Sequence, residues 1–227
     1  MIKHISLDFW NTLMTSNKEF SNHRLDFLKT KYLPNISIEE LNFNIEKIGD
    51  ESDRINMSEG VSIPSELMYQ RLFSQFEISI NTNEAKNVYD CLEVLFLSNP
   101  PIPLYDLEEL KKSLKVLKNK GFTLNISSNT AYIKGSTLRK VFKHYNLLSH
   151  FDFLIFSDEI NSSKPSYKFF DKLAKDCEEI NISKNSILHI GDSYEADIEG
   201  AELSKIKSRL IDYKKESLID LLKKLSN

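Results

Sequence analysis

Five short apolar segments, each ending on a polar or acidic residue, punctuate the chain: His4 to Asp8, Phe122 to Ser128, Phe153 to Asp158, Ser186 to Asp192, and Lys207 to Asp212. Runs of this length, bounded by turn-forming residues, predict strands. From Asp106 onward they alternate with stretches whose apolar side chains recur every three or four positions, as at Leu107, Leu110, Leu114 and Leu117, and again at Phe169, Phe170, Leu173 and Cys177. That spacing is one face of an amphipathic helix, and the alternation predicts an α/β fold around a parallel sheet. In an open parallel sheet, ligands bind beyond the carboxyl ends of the strands. Asp8, Ser128, Asp158 and Asp192 are all expected at that edge.

Residues 16–98 break the alternation. Helical spacing runs through Leu67, Leu72 and Phe76, and through Val88, Cys91, Leu92, Leu95 and Phe96, with Asn81, Thr82 and Asn83 as N-cap candidates. The Asn-Pro-Pro-Ile-Pro run at 99–103 cannot continue a helix and marks the return to the sheet. The expected organisation is a core of residues 1–15 and 99–227, with a helical domain of residues 16–98 inserted after the first strand.

Composition narrows the function. A chain of 227 residues, 41% hydrophobic and 28% charged, can fill one substantial core and a small satellite. Thirty basic against 33 acidic residues leave a net charge of −3, which gives no general attraction for nucleic acid or an anionic membrane. No run approaches the roughly 20 apolar residues of a membrane span. Asp8 interrupts the opening MIKHISLDFW before an apolar leader can form, and Cys91 and Cys177 make no C-x-x-C pair. A reduced, cytoplasmic setting is the expectation.

Four motifs carry the candidate chemistry: LDFWNTL at 7–13, ISSNT at 126–130, SSKPSYKFF at 162–170 and HIGDSYEADIEGA at 189–201. Taken in this order, they resemble the haloacid dehalogenase-like (HAD) hydrolase superfamily. The resemblance implies a doubly wound, Rossmann-like core with the helical insertion as a mobile cap. It also implies roles for single residues. Asp8 stands at the position of the nucleophile, whose carboxylate attacks phosphorus and forms an aspartyl-phosphate. Asp192 corresponds to the metal-ligating acid; two carboxylates drawn together repel unless a cation lies between them, and Mg²⁺ suits such oxygen donors. Trp10 would add its backbone carbonyl to the ion, while its indole could face the substrate. Asp197, the second acid of G-D-x-x-x-x-D, would support the metal waters or the lysine. Lys164 would steady the nucleophile and offset the charge gathered in the cleft. Ser128 would donate its hydroxyl to a phosphoryl oxygen, with Ser127 a rival in register and Asn129 assigned to the substrate.

The match breaks at one place. Phosphatases of the family carry a second Asp two residues after the nucleophile, as general acid and base; here that position is Trp10, and Asn11 replaces the glycine usual after it. An indole N–H cannot exchange a proton at neutral pH, so acid catalysis, typically worth about 10² to 10⁴ in rate, needs another group. His23 is a candidate by its titration range. Lys18, Lys29, Lys31, Lys47 and Lys86 offer ammonium groups from the insertion, and His4 and His189, inside strands, are expected to pack rather than reach the site. The 2-haloacid dehalogenases of the family also place an aromatic residue after the nucleophile, but they present a neutral Asn where this chain has Asp192. The expectation is a Mg²⁺-dependent phosphatase of a small phosphorylated metabolite, monomeric or homodimeric, with no nucleic-acid or membrane partner. A dehalogenase-like enzyme and a non-catalytic binding module are the alternatives.

Overall fold

The computed structural model describes residues 1–226. The chain opens with β1 (His4–Leu7), passes through the short β2 (Met14–Thr15) and enters four helices, α1 (Lys18–Lys31), α2 (Ile38–Glu59), α3 (Ser65–Ser74) and α4 (Thr82–Ser98). It returns through β3 (Ile102–Pro103), which pairs antiparallel with β2, so one narrow ribbon carries the chain out to the helices and back. Then follow α5 (Leu107–Asn119), β4 (Thr123–Ser128), α6 (Gly135–His144), β5 (Phe153–Phe156), α7 (Ser157–Ile160) and α8 (Tyr167–Glu179). The chain closes with β6 (Ile187–Gly191), α9 (Gly200–Leu203), β7 (Lys207–Leu210) and α10 (Leu218–Leu225).

Five strands form a parallel sheet in the order β5-β4-β1-β6-β7. The chain starts in the middle, winds to one side and then to the other, which is the doubly wound arrangement. Leu7 pairs with Ile126 on one flank and Ile190 on the other, so the residues just beyond them, Asp8, Ser127 and Gly191, emerge side by side at the carboxyl edge.

Helices cover both faces. On one, Leu114 of α5, Val141 of α6 and Leu222 of α10 join Ile5, Leu7, Ile126 and Ile190 in a single cluster. On the other, Phe169, Phe170 and Leu173 of α8 cluster with Ile155 and Ile187. Because side chains alternate across a strand, the positions between the apolar ones must also go somewhere. They are His4, Ser6, Asn125, Ser127 and His189, all fully buried. Buried polar groups need partners, and these find one another. His4 bonds to Thr123 and Asn125, Asn125 donates to the Ser127 hydroxyl, and Ser6 meets His189 at 2.9 Å. Burial lowers His4 to about 4, which keeps its ring neutral at physiological pH.

The four inserted helices have a cluster of their own, including Leu28, Leu41, Ile45, Met68, Phe73 and Leu92. Asn17, Ser37 and Asn81 cap α1, α2 and α4, and Asn81 completes a capping box with Glu84. Helix α2 ends at Gly60, whose φ of 66° and proximity to Ser166, 2.6 Å from where a Cβ would stand, leave no room for a side chain. The Gly60 carbonyl accepts from the Ser163 N–H at 3.2 Å and the Ser162 hydroxyl at 3.1 Å. The end of α2 is thereby tied to the segment that leads into Lys164. Among the described residues no helix is long and apolar enough to cross a membrane. Cys91 and Cys177 are both free.

Candidate active site

A cleft of about 270 Å³ lies between the carboxyl edge of the sheet and α2. Asp8, Trp10, Ser128, Asn129, Lys164, Asp192, Ser193, Ala196 and Asp197 line it from the sheet side, and Asp53 and Met57 from α2. At its floor the Lys164 ammonium, 2% exposed, bonds to Asp8 Oδ1 at 2.6 Å, Asp197 Oδ1 at 2.5 Å and the Ser127 carbonyl at 3.0 Å. Three donors meet three acceptors, so this buried cation is fully satisfied. Its backbone is fixed too: the Asn129 side chain accepts from the Lys164 N–H at 2.7 Å and donates to the Lys164 carbonyl at 2.9 Å.

Asp197 is held from behind. It sits in a π-helical turn, Tyr194–Glu199, and its Oδ1 meets His189 Nε2 at 3.0 Å while Oδ2 accepts from the Ser193 N–H at 3.0 Å. Gly191 makes this possible, since a Cβ there would fall 2.2 Å from the Asp197 carboxyl. A continuous buried chain therefore runs from Ser6 through His189, Asp197 and Lys164 to Asp8.

The charges explain the titration of each group. Burial pushes Asp8 up to about 6, reinforced by the Asp197 and Asp192 carboxylates and opposed by Lys164. Burial would also raise Asp197, but Lys164 and His189 outweigh it and hold this acid well below the usual carboxylate range. Burial alone would lower Lys164; Asp197 and Asp8 raise it instead, so it stays charged. Asp192 is raised by burial and by Asp197, and a hydrogen bond from the Asn11 side chain opposes the rise.

One carboxylate oxygen from each of Asp8, Asp192 and Asp197 can lie within 4.8 Å of the others. Such a set of hard oxygen donors fits a divalent cation of the Mg²⁺ type. Asp197 already serves Lys164, His189 and Ser193, so Asp8 and Asp192 have the free valence.

The sequence from residue 5 to residue 211 matches the model of the haloacid dehalogenase-like hydrolase family. The chain belongs to the haloacid dehalogenase-like hydrolases. Among curated proteins no relative matches. Solved structures of similar fold include YfnB from Bacillus subtilis bound to magnesium, at 15% identity and a TM-score of 0.73 over 100% of this chain and 99% of that one. They also include a HAD phosphatase from Thermococcus onnurineus (19%, TM-score 0.66, 95% of this chain and 89% of that one). A 2-haloacid dehalogenase from Pseudomonas syringae pv. tomato is similar as well (17%, TM-score 0.65, 96% and 89%). At these identities the likeness establishes the fold.

Seen as a HAD site, the arrangement gathers Asp8, Trp10, Ser128, Asn129, Lys164, Asp192 and Asp197 around one cleft. Of the two rival serines, Ser128 lines it, while the Ser127 hydroxyl faces the sheet interior and accepts from Asn125. Asn129 commits its amide to the Lys164 backbone rather than leaving it free for a ligand.

Three expectations need correction. Asp158 does not join the cleft: β5 ends at Phe156, and the Asp158 carboxylate accepts from the Gly135 N–H and the Thr130 hydroxyl at 3.1 Å, anchoring the start of α6. His189 does more than pack, because Nε2 reaches Asp197. His23 is exposed on α1 and lines no part of the cleft, and neither do Lys18, Lys29, Lys31, Lys47 and Lys86. Two residues that motif matching passes over belong to the site. Asn11 adopts a left-handed φ of 53°, which Asn tolerates better than most residues, so it serves where the family's glycine stands, and its side chain acts on Asp192 by opposing the rise of that carboxyl. Asp53, from the insertion, faces the cleft across from the sheet.

Proposed function

We propose that this HAD hydrolase is a Mg²⁺-dependent phosphatase acting on a small phosphorylated metabolite, with Asp8 as nucleophile. The observation that carries the reading is Asp192: a second acid that can bring an oxygen within 4.8 Å of Asp8, raised by burial and by Asp197, calls for a cation. Asp8, Asp192 and the Trp10 backbone carbonyl would hold it, with Asp197 acting through Lys164. When bound, Mg²⁺ supplies neutralising charge and polarises a phosphoryl oxygen. Asp8 attacks phosphorus and forms an aspartyl-phosphate, Lys164 and the Ser128 hydroxyl stabilise the charge on the transferred group, and water then releases phosphate. The inserted helices act as a cap that selects the substrate.

Purified protein is expected to turn over p-nitrophenyl phosphate with Mg²⁺ and to stop when EDTA is added; no turnover under either condition would overturn the reading. A second reading, a dehalogenase-like enzyme, is favoured by Trp10, which lines the cleft where phosphatases carry an acid. Metal-independent chloride release from 2-chloropropionate would support it.

The cation predicts a pH dependence. Only the ionised carboxylates bind metal. With Asp8 raised from 3.8 to about 6, most of it is protonated at pH 5, and Mg²⁺ affinity is expected to fall about tenfold or more between pH 7.5 and pH 5. Calorimetry at the two values checks this, and equal affinities would remove Asp8 from the ligand set. Without metal the sign for stability is opposite: the folded protein holds the Asp8 proton more tightly than the unfolded chain. That contribution is present below about 3.8 and lost as pH rises through about 6.

A further inference from the structure

The phosphatase reading leaves the leaving group without a proton donor, because Trp10 stands where an acid is usual. The groups lining the cleft settle which one can fill the gap. Lys164 is locked between Asp8 and Asp197 and stays charged. Asp197 is held ionised by Lys164 and His189. Asp8 is the nucleophile, and Asp192 belongs to the cation. Ser128, Ser193 and Asn129 do not exchange protons usefully near neutrality.

Among the described residues, Asp53 is the one titratable side chain that the insertion contributes to the cleft lining. It lies one turn before Met57 on the same face of α2, and both face the sheet edge that carries Asp8. Displacement at phosphorus is in line, so the departing oxygen sits on the side away from Asp8, which is the α2 side. Resting on the phosphatase reading, we propose that Asp53 is the proton donor to the leaving group and then the base for the hydrolytic water.

The step balances. As the bond from Asp8 Oδ to phosphorus forms, the bond from phosphorus to the leaving oxygen breaks, and the Asp53 proton passes to that oxygen, releasing an alcohol and leaving Asp53 as a carboxylate. Asp53 next takes a proton from the water that attacks phosphorus. The bond to Asp8 breaks, hydrogen phosphate departs, and both carboxyl groups are restored.

The environment suits the task. Asp53 is exposed at the mouth of the cleft, and partial desolvation there together with the Asp50 carboxylate raises it above the ordinary range. Asp50 is the charged group acting on it from its own helix; across the cleft stand Asp8, Lys164, Asp192 and Asp197. A bound phosphate dianion would raise it further.

The test is Asp53→Asn, assayed with Mg²⁺ on p-nitrophenyl, phenyl and p-methoxyphenyl phosphates, which are alike in size and differ in leaving-group basicity. The variant is expected to lose kcat on all three substrates, because the base for the hydrolytic water is gone, while kcat/KM, which reports the first displacement, falls with leaving-group basicity, by about threefold on p-nitrophenyl phosphate and about 10²-fold on the two poorer leaving groups. The basic limb of the pH profile, where the acid must hold its proton, should disappear for those two. Asp53→Glu should recover part of the loss. A loss in kcat/KM equal on all three substrates, or absent from all three, overturns the assignment. Wild-type protein inactive on p-nitrophenyl phosphate overturns the phosphatase reading and this inference with it, so the two failures are distinct.

Discussion

Asp8→Asn is expected to remove turnover of p-nitrophenyl phosphate by at least about 10⁴-fold while leaving the protein as stable as the wild type or more so. The first half follows from the chemistry: an amide is no nucleophile toward phosphorus, and loss of an attacking group costs this much or more in enzymes that form covalent intermediates. The second half follows from the electrostatics. Asp8 is raised to about 6 because burial and two neighbouring carboxylates oppose its ionisation, so at pH 7.5 its charge works against the fold. A neutral isostere removes that strain, and Lys164 keeps Asp197 and the Ser127 carbonyl as partners. Sites that trade stability for reactivity often behave this way. Kinetics with Mg²⁺ and a thermal melt at pH 7.5 decide it: a variant with more than a few per cent of wild-type turnover would show that the nucleophile lies elsewhere.

The second large effect is on the lysine. Lys164→Met keeps most of the side-chain volume but deletes the cation that Asp8 and Asp197 share at 2.6 and 2.5 Å. Removing one partner of a buried ion pair typically costs about 3–5 kcal/mol, because the other is left charged and unpaired. Urea denaturation at pH 7.5 without metal is expected to show a loss of this size. The loss should shrink at pH 5, since carboxylates without their cation titrate higher and take up protons in its place. Turnover should also fall, by about 10² to 10³, with the loss of a preorganised charge at the reacting group. Undiminished stability at pH 7.5 would mean that the carboxylates are neutralised in some other way.

Much of the sheet was legible because its apolar positions repeat along the chain. Ile5, Leu7, Ile126 and Ile190 lie on one buried face, and the polar residue after each run marks the strand end. The other face was less legible. His4, Ser6, Asn125 and His189 read as interruptions in one dimension, and only the pairing of Ser6 with His189 across β1 and β6 makes them a polar layer. His189 meets Asp197 because a π-helical turn and Gly191 bring that carboxyl back to the strand, a path that motif spacing does not describe. Asp158 ends its apolar run just as Asp8 does, yet the chain after β5 turns at once into α7 and spends the carboxylate on α6. Asp53 is one acid among several on α2, and only the rotation of that helix against the sheet edge sets it apart.

The buried chain from Ser6 to Asp8 has a consequence for how such a protein can diversify. Burial apart, every group that tunes Asp8, namely Lys164, Asp197 and Asp192, comes from the parallel-sheet half of the molecule. The insertion reaches the cleft lining through α2, at Asp53 and Met57, so a substitution at Met57 would reshape the cleft while leaving the charged groups that act on Asp8 in place. New specificities can arise there at little risk to the chemistry beneath.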